Sequence, residues 1–166
     1  MRIRHLMTTI TLTGLLTLQA WPQTPGKFSG DPNAHPPVTK EDLLIVQRAQ
    51  KILDSPSKWN RADTRTCPSD AKTFSMYCVL EKATVEVTGS FEHRGAAMQE
   101  ARFVIEDIAP NRNYEHRLMN YNNDPTTTFI DVQRVFKLME GRIAKQLSET
   151  PPPAKQKVRF VRQPRP

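Results

Sequence analysis

Phe74-Ser75-Met76-Tyr77-Cys78-Val79-Leu80-Glu81-Lys82-Ala83 is the densest apolar segment of the chain beyond its N-terminal leader. Within it, apolar side chains recur at the spacing of one helix face, at Met76, Val79, Leu80 and Ala83. This pattern predicts a buried helix at the centre of a small domain. Residues 84–88 alternate like a strand, but no second alternating run is available to pair with them. We therefore expect them to be the last turns of the same helix.

Apolar periodicity and capping residues predict four further helices. The first begins after Thr39, whose side chain can form a capping box with Asp42, and it stops before Pro56 because proline cannot continue a helix. Residues 95–109 carry the next helical pattern. A short helix over about residues 113–120 follows it.

The last helix has the strongest pattern in the chain. Thr128 and Asp131 supply its cap, and apolar residues then repeat at alternating intervals of three and four as far as Leu147. Residues 121–128 are rich in Asn, Asp and Thr, which predicts a turn before this helix. The fold class is therefore predicted to be all-α, a small single-domain bundle of about five helices spanning residues 38–150.

The N-terminus has the pattern of a secretory signal peptide over residues 1–20. Arg2 and Arg4 precede an uncharged apolar stretch that ends at the small residue Ala20. That stretch is shorter than the roughly 20 residues of a membrane-spanning helix, so we prefer cleavage to a retained anchor. We expect cleavage near Ala20 and a periplasmic or secreted protein, with residues 21–37 as a disordered, flexible leader.

The two cysteines of the chain are Cys67 and Cys78. Two cysteines in an oxidising compartment usually pair, which predicts a disulfide that stabilises the fold by about 2–4 kcal/mol. The alternative is that Cys78 is a buried apolar residue and Cys67 a free loop thiol. The ten residues between them do not give the Cys-x-x-Cys geometry of a redox-active pair.

The formal net charge of +7 is concentrated at the two ends of the chain. Once the two arginines of the predicted signal peptide and the tail are set aside, residues 21–150 hold seventeen basic and seventeen acidic residues. Composition therefore leaves the tail as the one cationic region, and we expect no sequence-specific nucleic-acid binding. The tail, residues 151–166, is proline-rich and has no acidic residue, so it is predicted to be disordered.

The cations of this tail could contact an anionic surface, and they are Lys155, Lys157, Arg159, Arg162 and Arg165. Each cation near an anionic membrane contributes about 1 kcal/mol to binding. The tail could therefore tether the protein to anionic lipid, surface polysaccharide or an envelope protein. The alternative is a solubilising segment without a partner.

Four short motifs are distributed along the domain, namely Trp59, Cys78-Val79-Leu80-x-x-Ala83, Tyr121-Asn122-Asn123 and Thr128-x-x-Asp131-Val132. Together they resemble a family of small bacterial proteins that is classed only as a domain of unknown function. The resemblance covers about residues 43–147 and implies a compact helical fold without a known activity. The chain departs from the family at Glu81-Lys82, where members have glycine and a small residue, and at Tyr121, where members have tryptophan.

A few residues have the chemistry of a ligand or partner contact, and they are Trp59, His116, Tyr121, Asn122, Asn123 and Asp124. A lone tryptophan after a helix usually fills a core, although it can stack on a sugar. The oxygen atoms of residues 122–128 would suit calcium or a glycan. Helix capping explains the same residues, and the spaced acidic loop of a calcium hand is missing.

No catalytic constellation stands out in the sequence. A nucleophilic site would need Cys78 beside a histidine and a carboxylate, whereas His93 and His116 have no companion at metal-ligand spacing. We therefore expect no cofactor and no metal.

Two functions follow from these observations. The first is an exported, non-catalytic binding or interaction module. The second is a small hydrolase with a site near Trp59, His116 and the turn at residues 121–124. A polar pocket lined by His116 and an acid would favour the hydrolase, and a solid apolar core with those residues on the surface would favour the module.

Overall fold

The computed structural model describes residues 33–149, which contain five α-helices and no strand. The helices are α1 (Lys40–Ile52), α2 (Met76–Thr88), α3 (Ala96–Ile108), α4 (Arg117–Asn123) and α5 (Phe129–Glu149). The predicted all-α bundle of about five helices is confirmed. Within the same residues no helix has both the length and the apolar character needed to cross a bilayer. The predicted signal peptide and the basic tail lie outside the described residues.

Side-chain caps determine where α1 and α5 begin. The Thr39 N–H donates to Asp42 Oδ2 at 2.8 Å, and the Asp42 N–H donates back to Thr39 Oγ1 at 3.4 Å. Thr128 and Asp131 repeat this reciprocal arrangement at 2.9 and 3.3 Å. Both caps were predicted from the sequence and are confirmed, and each is worth about 1 kcal/mol.

The helix with the most extensive packing is α1, rather than α2, which was predicted at the centre of the domain. α2 packs mainly against α1, while α5 packs against both α1 and α3. Large side chains without solvent contact come from every long helix, and they include Val46, Leu80, Val104, Phe136, Met139 and Ile143. Burying each such side chain stabilises the fold by about 1.5–3 kcal/mol.

The ends of α2 agree with the prediction in one case and correct it in the other. The helix begins at Met76 rather than Phe74, because the Ser75 hydroxyl caps it by accepting from the Cys78 N–H at 3.2 Å. Residues 84–88 are its last turns, as predicted. It ends at Gly89, whose φ of 79° lies in the left-handed region that glycine adopts without a Cβ clash.

The position of α4 corrects the sequence prediction. A helix was predicted over 113–120, followed by a turn over 121–128, but α4 spans Arg117–Asn123. Residues 121–123 therefore belong to its last turn, and only Asp124 and the residues after it form the turn. Asparagine is a weak helix former. Asn122 is nevertheless helical because tertiary hydrogen bonds, described below, hold it there.

The connection between α1 and α2 is held at several points. Cys67 and Cys78 are disulfide-bonded, with Cα atoms 5.3 Å apart, which confirms the predicted pair. The Phe74 N–H donates to the Lys58 carbonyl at 2.7 Å, and the Asn60 N–H donates to the Phe74 carbonyl at 3.0 Å. The connection therefore returns to its own starting point before α2 begins.

Packing against the bundle starts before residue 38, the predicted domain boundary. The His35 ring stacks on Phe103, with ring centroids 3.8 Å apart. The Gln99 side chain donates to the Ala34 carbonyl at 3.0 Å. The last residues of the predicted leader therefore lie along α3.

Candidate functional site

A cavity of about 220 Å³ opens where α2, α3 and α4 meet the connections between the helices. Its lining concentrates positively charged side chains. We call it the arginine pocket and define it by Arg65, Tyr77, His93, Arg94, Arg102 and Arg117. His116, Glu115 and Tyr114 also line it.

The arginines reach this pocket from separate parts of the chain. Arg65 lies in the α1–α2 connection, and Arg94 lies just before α3. Arg102 lies within α3, and Arg117 is the first residue of α4. Counted over residues 21–150 as a whole, the charge balances to zero and leaves only the tail as a cationic region. That count did not show this local cluster of arginines inside the domain.

Arg102 is a partly enclosed arginine of this pocket. It is half-buried, and no carboxylate among residues 33–149 forms an ion pair with it. Its guanidinium donates instead to neutral groups, including the His93 carbonyl at 3.0 Å. Burial and the neighbouring Arg94 lower the pKa of Arg102 to about 10. The pocket therefore holds a partly desolvated positive charge that this part of the chain does not neutralise.

His93 connects Arg102 to Tyr77, and its tautomer follows from these two partners. An arginine side chain can only donate hydrogen bonds, so His93 Nε2, 3.2 Å from Arg102 Nη2, is the acceptor. The proton of the neutral ring is then on Nδ1, which lies 3.2 Å from the Tyr77 hydroxyl. His93 Nδ1–H therefore donates to Tyr77, and the Tyr77 O–H is left to donate to another group.

Electrostatics keep both members of this pair uncharged. Partial burial, together with the charges of Arg102, Arg94 and Arg65, lowers the pKa of His93 below its ordinary value. Burial, with Glu81 nearby, raises the pKa of Tyr77. At neutral pH the histidine is therefore an unprotonated acceptor toward Arg102, and the tyrosine retains its proton.

The acidic residues near the pocket leave an excess of positive charge. Arg117 pairs with Glu106 at 3.2 Å. Glu115 lies on the rim, 3.9 Å from His116, with 87% of its side chain exposed. Arg65 and Arg94, like Arg102, form no ion pair with any residue from 33 to 149. Three guanidinium groups therefore line the cavity without an ion-pair partner among residues 33–149.

The backbone at Arg65 is unusual. Its φ of 61° lies in the left-handed region, which few residues other than glycine adopt. The Arg65 N–H donates to Asp63 Oδ1 at 2.7 Å, and the Asp63 N–H donates to Asn123 Oδ1 at 2.7 Å. These two hydrogen bonds hold the left-handed conformation of Arg65 and connect it, through Asp63, to Asn123, the last residue of α4.

Several residues predicted as ligand contacts form a structural cluster around the buried Asn122 instead. Asn122 is fully buried, and its Oδ1 accepts from Trp59 Nε1 at 2.8 Å and from the Met76 N–H at 3.1 Å. Its Nδ2 donates to the Asn60 carbonyl at 3.0 Å and to Asn123 Oδ1 at 3.1 Å. We call these five residues the Asn122 hub. Both lone pairs and both N–H groups of the Asn122 amide are used, so the amide has no capacity left for a ligand.

The other predicted contacts are distributed over different places. Asp124 pairs with Arg112 and accepts from the Tyr114 hydroxyl at 2.9 Å, and the Arg112 hydrogen bond holds the pKa of Asp124 well below its usual range. Burial raises the pKa of Tyr121 to about 12. His116 alone among the predicted contacts lines the arginine pocket. The structure therefore does not bring the six predicted contacts into one site.

One sequence signal could have located part of the arginine pocket. Arg65 lies two residues before Cys67, and Tyr77 lies directly before Cys78. A disulfide between these cysteines therefore brings Arg65 and Tyr77 into the same region. The approach of Arg94, Arg102 and Arg117 depends on how the helices pack and had no comparable signal.

Within residues 33–149 no group of three His, Cys, Asp or Glu side chains is placed to hold a metal ion. No protein family, curated protein or solved structure matches the chain. The resemblance to a bacterial family of unknown function therefore stays a prediction. Support for a function comes from the geometry of the arginine pocket itself.

Proposed function

We propose that this protein is an exported, non-catalytic binding module whose arginine pocket holds the anionic group of a ligand. The observation that carries the proposal is the half-buried Arg102, which has no acidic partner in the described part of the chain. A desolvated cation without a counter-charge is costly, and an anionic ligand would offset that cost. Arginine also suits the role, because its planar fork binds carboxylate and phosphate groups in a bidentate manner.

Export is supported by the signal-peptide pattern of residues 1–20 and by the Cys67–Cys78 disulfide, since such bonds persist in oxidising compartments. The basic tail adds a second possible contact. Its five cations and its lack of acidic residues support a tether to anionic lipid, surface polysaccharide or an envelope protein. In this proposal the folded domain selects the ligand and the tail keeps the protein near a surface.

A small hydrolase is the alternative. The arginine pocket does combine His116 with an acid, Glu115, as such an enzyme would require. However, its described lining contains no serine, threonine or cysteine nucleophile. Trp59 and residues 121–124 lie outside this pocket. We therefore favour binding over hydrolysis.

Arg102→Gln tests the proposal in the mature protein, by calorimetric titration with inorganic phosphate and with sulfate at low ionic strength. We expect a loss of binding of at least tenfold, about 1.4 kcal/mol. Arg134→Gln is the matched control, because Arg134 is an exposed arginine of α5 outside the pocket. We expect its affinity to equal that of the wild type. Absence of wild-type binding to either anion at 10 mM, or equal losses in both variants, would overturn the proposal.

Thermal stability gives a second readout that requires no ligand. Removing the charge of Arg102 relieves its repulsion with Arg94 and the cost of its desolvation, so we expect the Tm of the ligand-free Arg102→Gln protein to stay constant or rise. A residue kept for folding alone would instead lower the Tm when replaced. Far-UV circular dichroism on heating measures the difference.

A further inference from the structure

The charge of the arginine pocket limits which anions can balance it. Arg117 already has Glu106 as a partner, while Arg65, Arg94 and Arg102 have no ion-pair partner among residues 33–149. A single carboxylate would leave two of these three charges uncompensated. A dianionic group compensates two of these charges at one position. It therefore lowers the Coulomb energy of the like charges around the cavity more than a single carboxylate does.

The number and origin of the donors favour an anion with several equivalent oxygens. The three guanidinium groups come from the α1–α2 connection, from the α2–α3 connection and from α3. One guanidinium fork occupies both oxygens of a carboxylate. A tetrahedral group with three terminal oxygens can accept from several forks that approach from different segments.

Tyr77 adds a neutral donor to this set. Because Arg102 makes Nε2 of His93 an acceptor, His93 donates through Nδ1 to the Tyr77 oxygen at 3.2 Å. The tyrosine proton is thereby free, and Tyr77 lines the cavity. Glu115, the acidic residue of the described lining, has an 87% exposed side chain. The pocket therefore offers mainly donors, which suits the unprotonated terminal oxygens of a dianionic tetrahedral group.

The size of the cavity defines how much of a ligand it takes. Its volume of about 220 Å³ is below the roughly 300–1,000 Å³ of pockets that enclose drug-sized molecules. It therefore accommodates a small oxyanion or the end group of a larger molecule, whose remainder would extend into solvent.

Building on the proposed function, we infer that the arginine pocket recognises a phosphoryl group in its dianionic form, and that Tyr77 is a specificity-determining donor to it. The group is either free phosphate or the end of a phosphate monoester. A monoester is fully dianionic and unprotonated above its second pKa of about 6, which fits a pocket of donors.

The experiment compares four anions on the mature protein at pH 7.5, namely ethyl phosphate, inorganic phosphate, sulfate and succinate. We expect ethyl phosphate to bind at least tenfold more tightly than succinate, which carries two negative charges on separate carboxylates. Tighter binding of ethyl phosphate than of inorganic phosphate would identify a monoester end group. Equal binding would identify the phosphoryl group itself. Both outcomes support the inference.

Contrary results separate this inference from the proposed function. Succinate or sulfate binding as tightly as ethyl phosphate would overturn phosphoryl recognition and leave anion binding intact. Failure of all four anions would overturn both. Affinity for ethyl phosphate that does not fall between pH 7.5 and pH 5.5 would also contradict recognition of the dianion.

Tyr77→Phe tests the hydroxyl donor. We expect about a tenfold loss of affinity for ethyl phosphate, the size of one hydrogen bond to a charged group. Tyr121→Phe is the matched control, because Tyr121 lies outside the arginine pocket. Equal affinities of the two variants would contradict the role of Tyr77. Long-range ¹H–¹⁵N spectra provide a direct check, and a His93 ring protonated on Nε2 rather than Nδ1 would also overturn it.

Discussion

The Asn122 hub and the arginine pocket are two polar clusters of one small bundle. They differ in whether their polar or charged groups have partners within the protein. In the hub, every hydrogen-bonding position of the Asn122 amide is used by the protein itself. In the pocket, three arginines have no ion-pair partner within residues 33–149. A satisfied network stabilises a fold, whereas an unsatisfied one is free to bind something else.

The largest expected effect is on the hub. Asn122→Ala would leave Trp59 Nε1 and the Met76 N–H without their acceptor and the Asn60 carbonyl without its donor. Each unsatisfied buried group costs about 1–3 kcal/mol, so we expect a loss of about 4 kcal/mol in the free energy of unfolding. Urea denaturation followed by circular dichroism measures it.

Asn111→Ala is the control for this prediction, since Asn111 is an exposed asparagine in the turn after α3. Its unfolding free energy should stay within about 0.5 kcal/mol of the wild type. A similarly small change for Asn122→Ala would show that the hub is not the stabilising cluster described above.

The disulfide connects the two clusters and should have the second largest effect. The double variant Cys67→Ala, Cys78→Ala should lose about 2–4 kcal/mol of stability, chiefly because its unfolded chain is less restricted. Arg65 and Tyr77 flank the two cysteines, so the affinity for ethyl phosphate should also fall.

Both quantities are measured on the same sample, by thermal unfolding and by titration at 15 °C, where the variant stays folded. Unchanged anion affinity in the folded variant would show that the pocket is positioned independently of the disulfide. The Asn122 hub and the arginine pocket would then be separate clusters rather than connected ones.

The smallest effect concerns His93. Its pKa is lowered in the folded state, so the folded protein disfavours the protonated ring. The resulting stability is complete above the ordinary histidine pKa of about 6.5, and it is lost as the pH falls from there through the lowered folded-state pKa. We therefore expect the free energy of unfolding to be lower at pH 5.5 than at pH 7.5.

His93→Gln should reduce this pH dependence, because glutamine stays neutral. The charges that face His93 are those of Arg102, Arg94 and Arg65. Urea unfolding of both proteins at the two pH values provides the comparison. An equally steep pH dependence in the variant would assign it to other groups.

Local features of the sequence were sufficient for most helix boundaries. Capping pairs such as Thr39 with Asp42 act over three residues, so they are visible without knowing the fold. The α4 boundary failed for the opposite reason. Asn122 has turn-forming chemistry by itself, and its helical conformation depends on partners about 46 and 63 residues away in the chain.

The candidate site shows the same difference between what local sequence features predict and what long-range contacts decide. Trp59 and Asn122 were predicted as possible ligand contacts because of their chemistry, and the structure uses them to hold each other. Arg102 and His93 had no distinguishing sequence context, yet they line the cavity. Side-chain chemistry alone does not show whether a polar group already has a partner.

The sequence by itself determined the long helices, the caps of α1 and α5 and the Cys67–Cys78 pair, because periodicity, capping and cysteine count are properties of short segments or of composition. Only the tertiary structure decided where the charge lies. A chain whose residues 21–150 balance to zero still gathers Arg65, Arg94 and Arg102 around one cavity, since packing brings together segments that are distant along the chain.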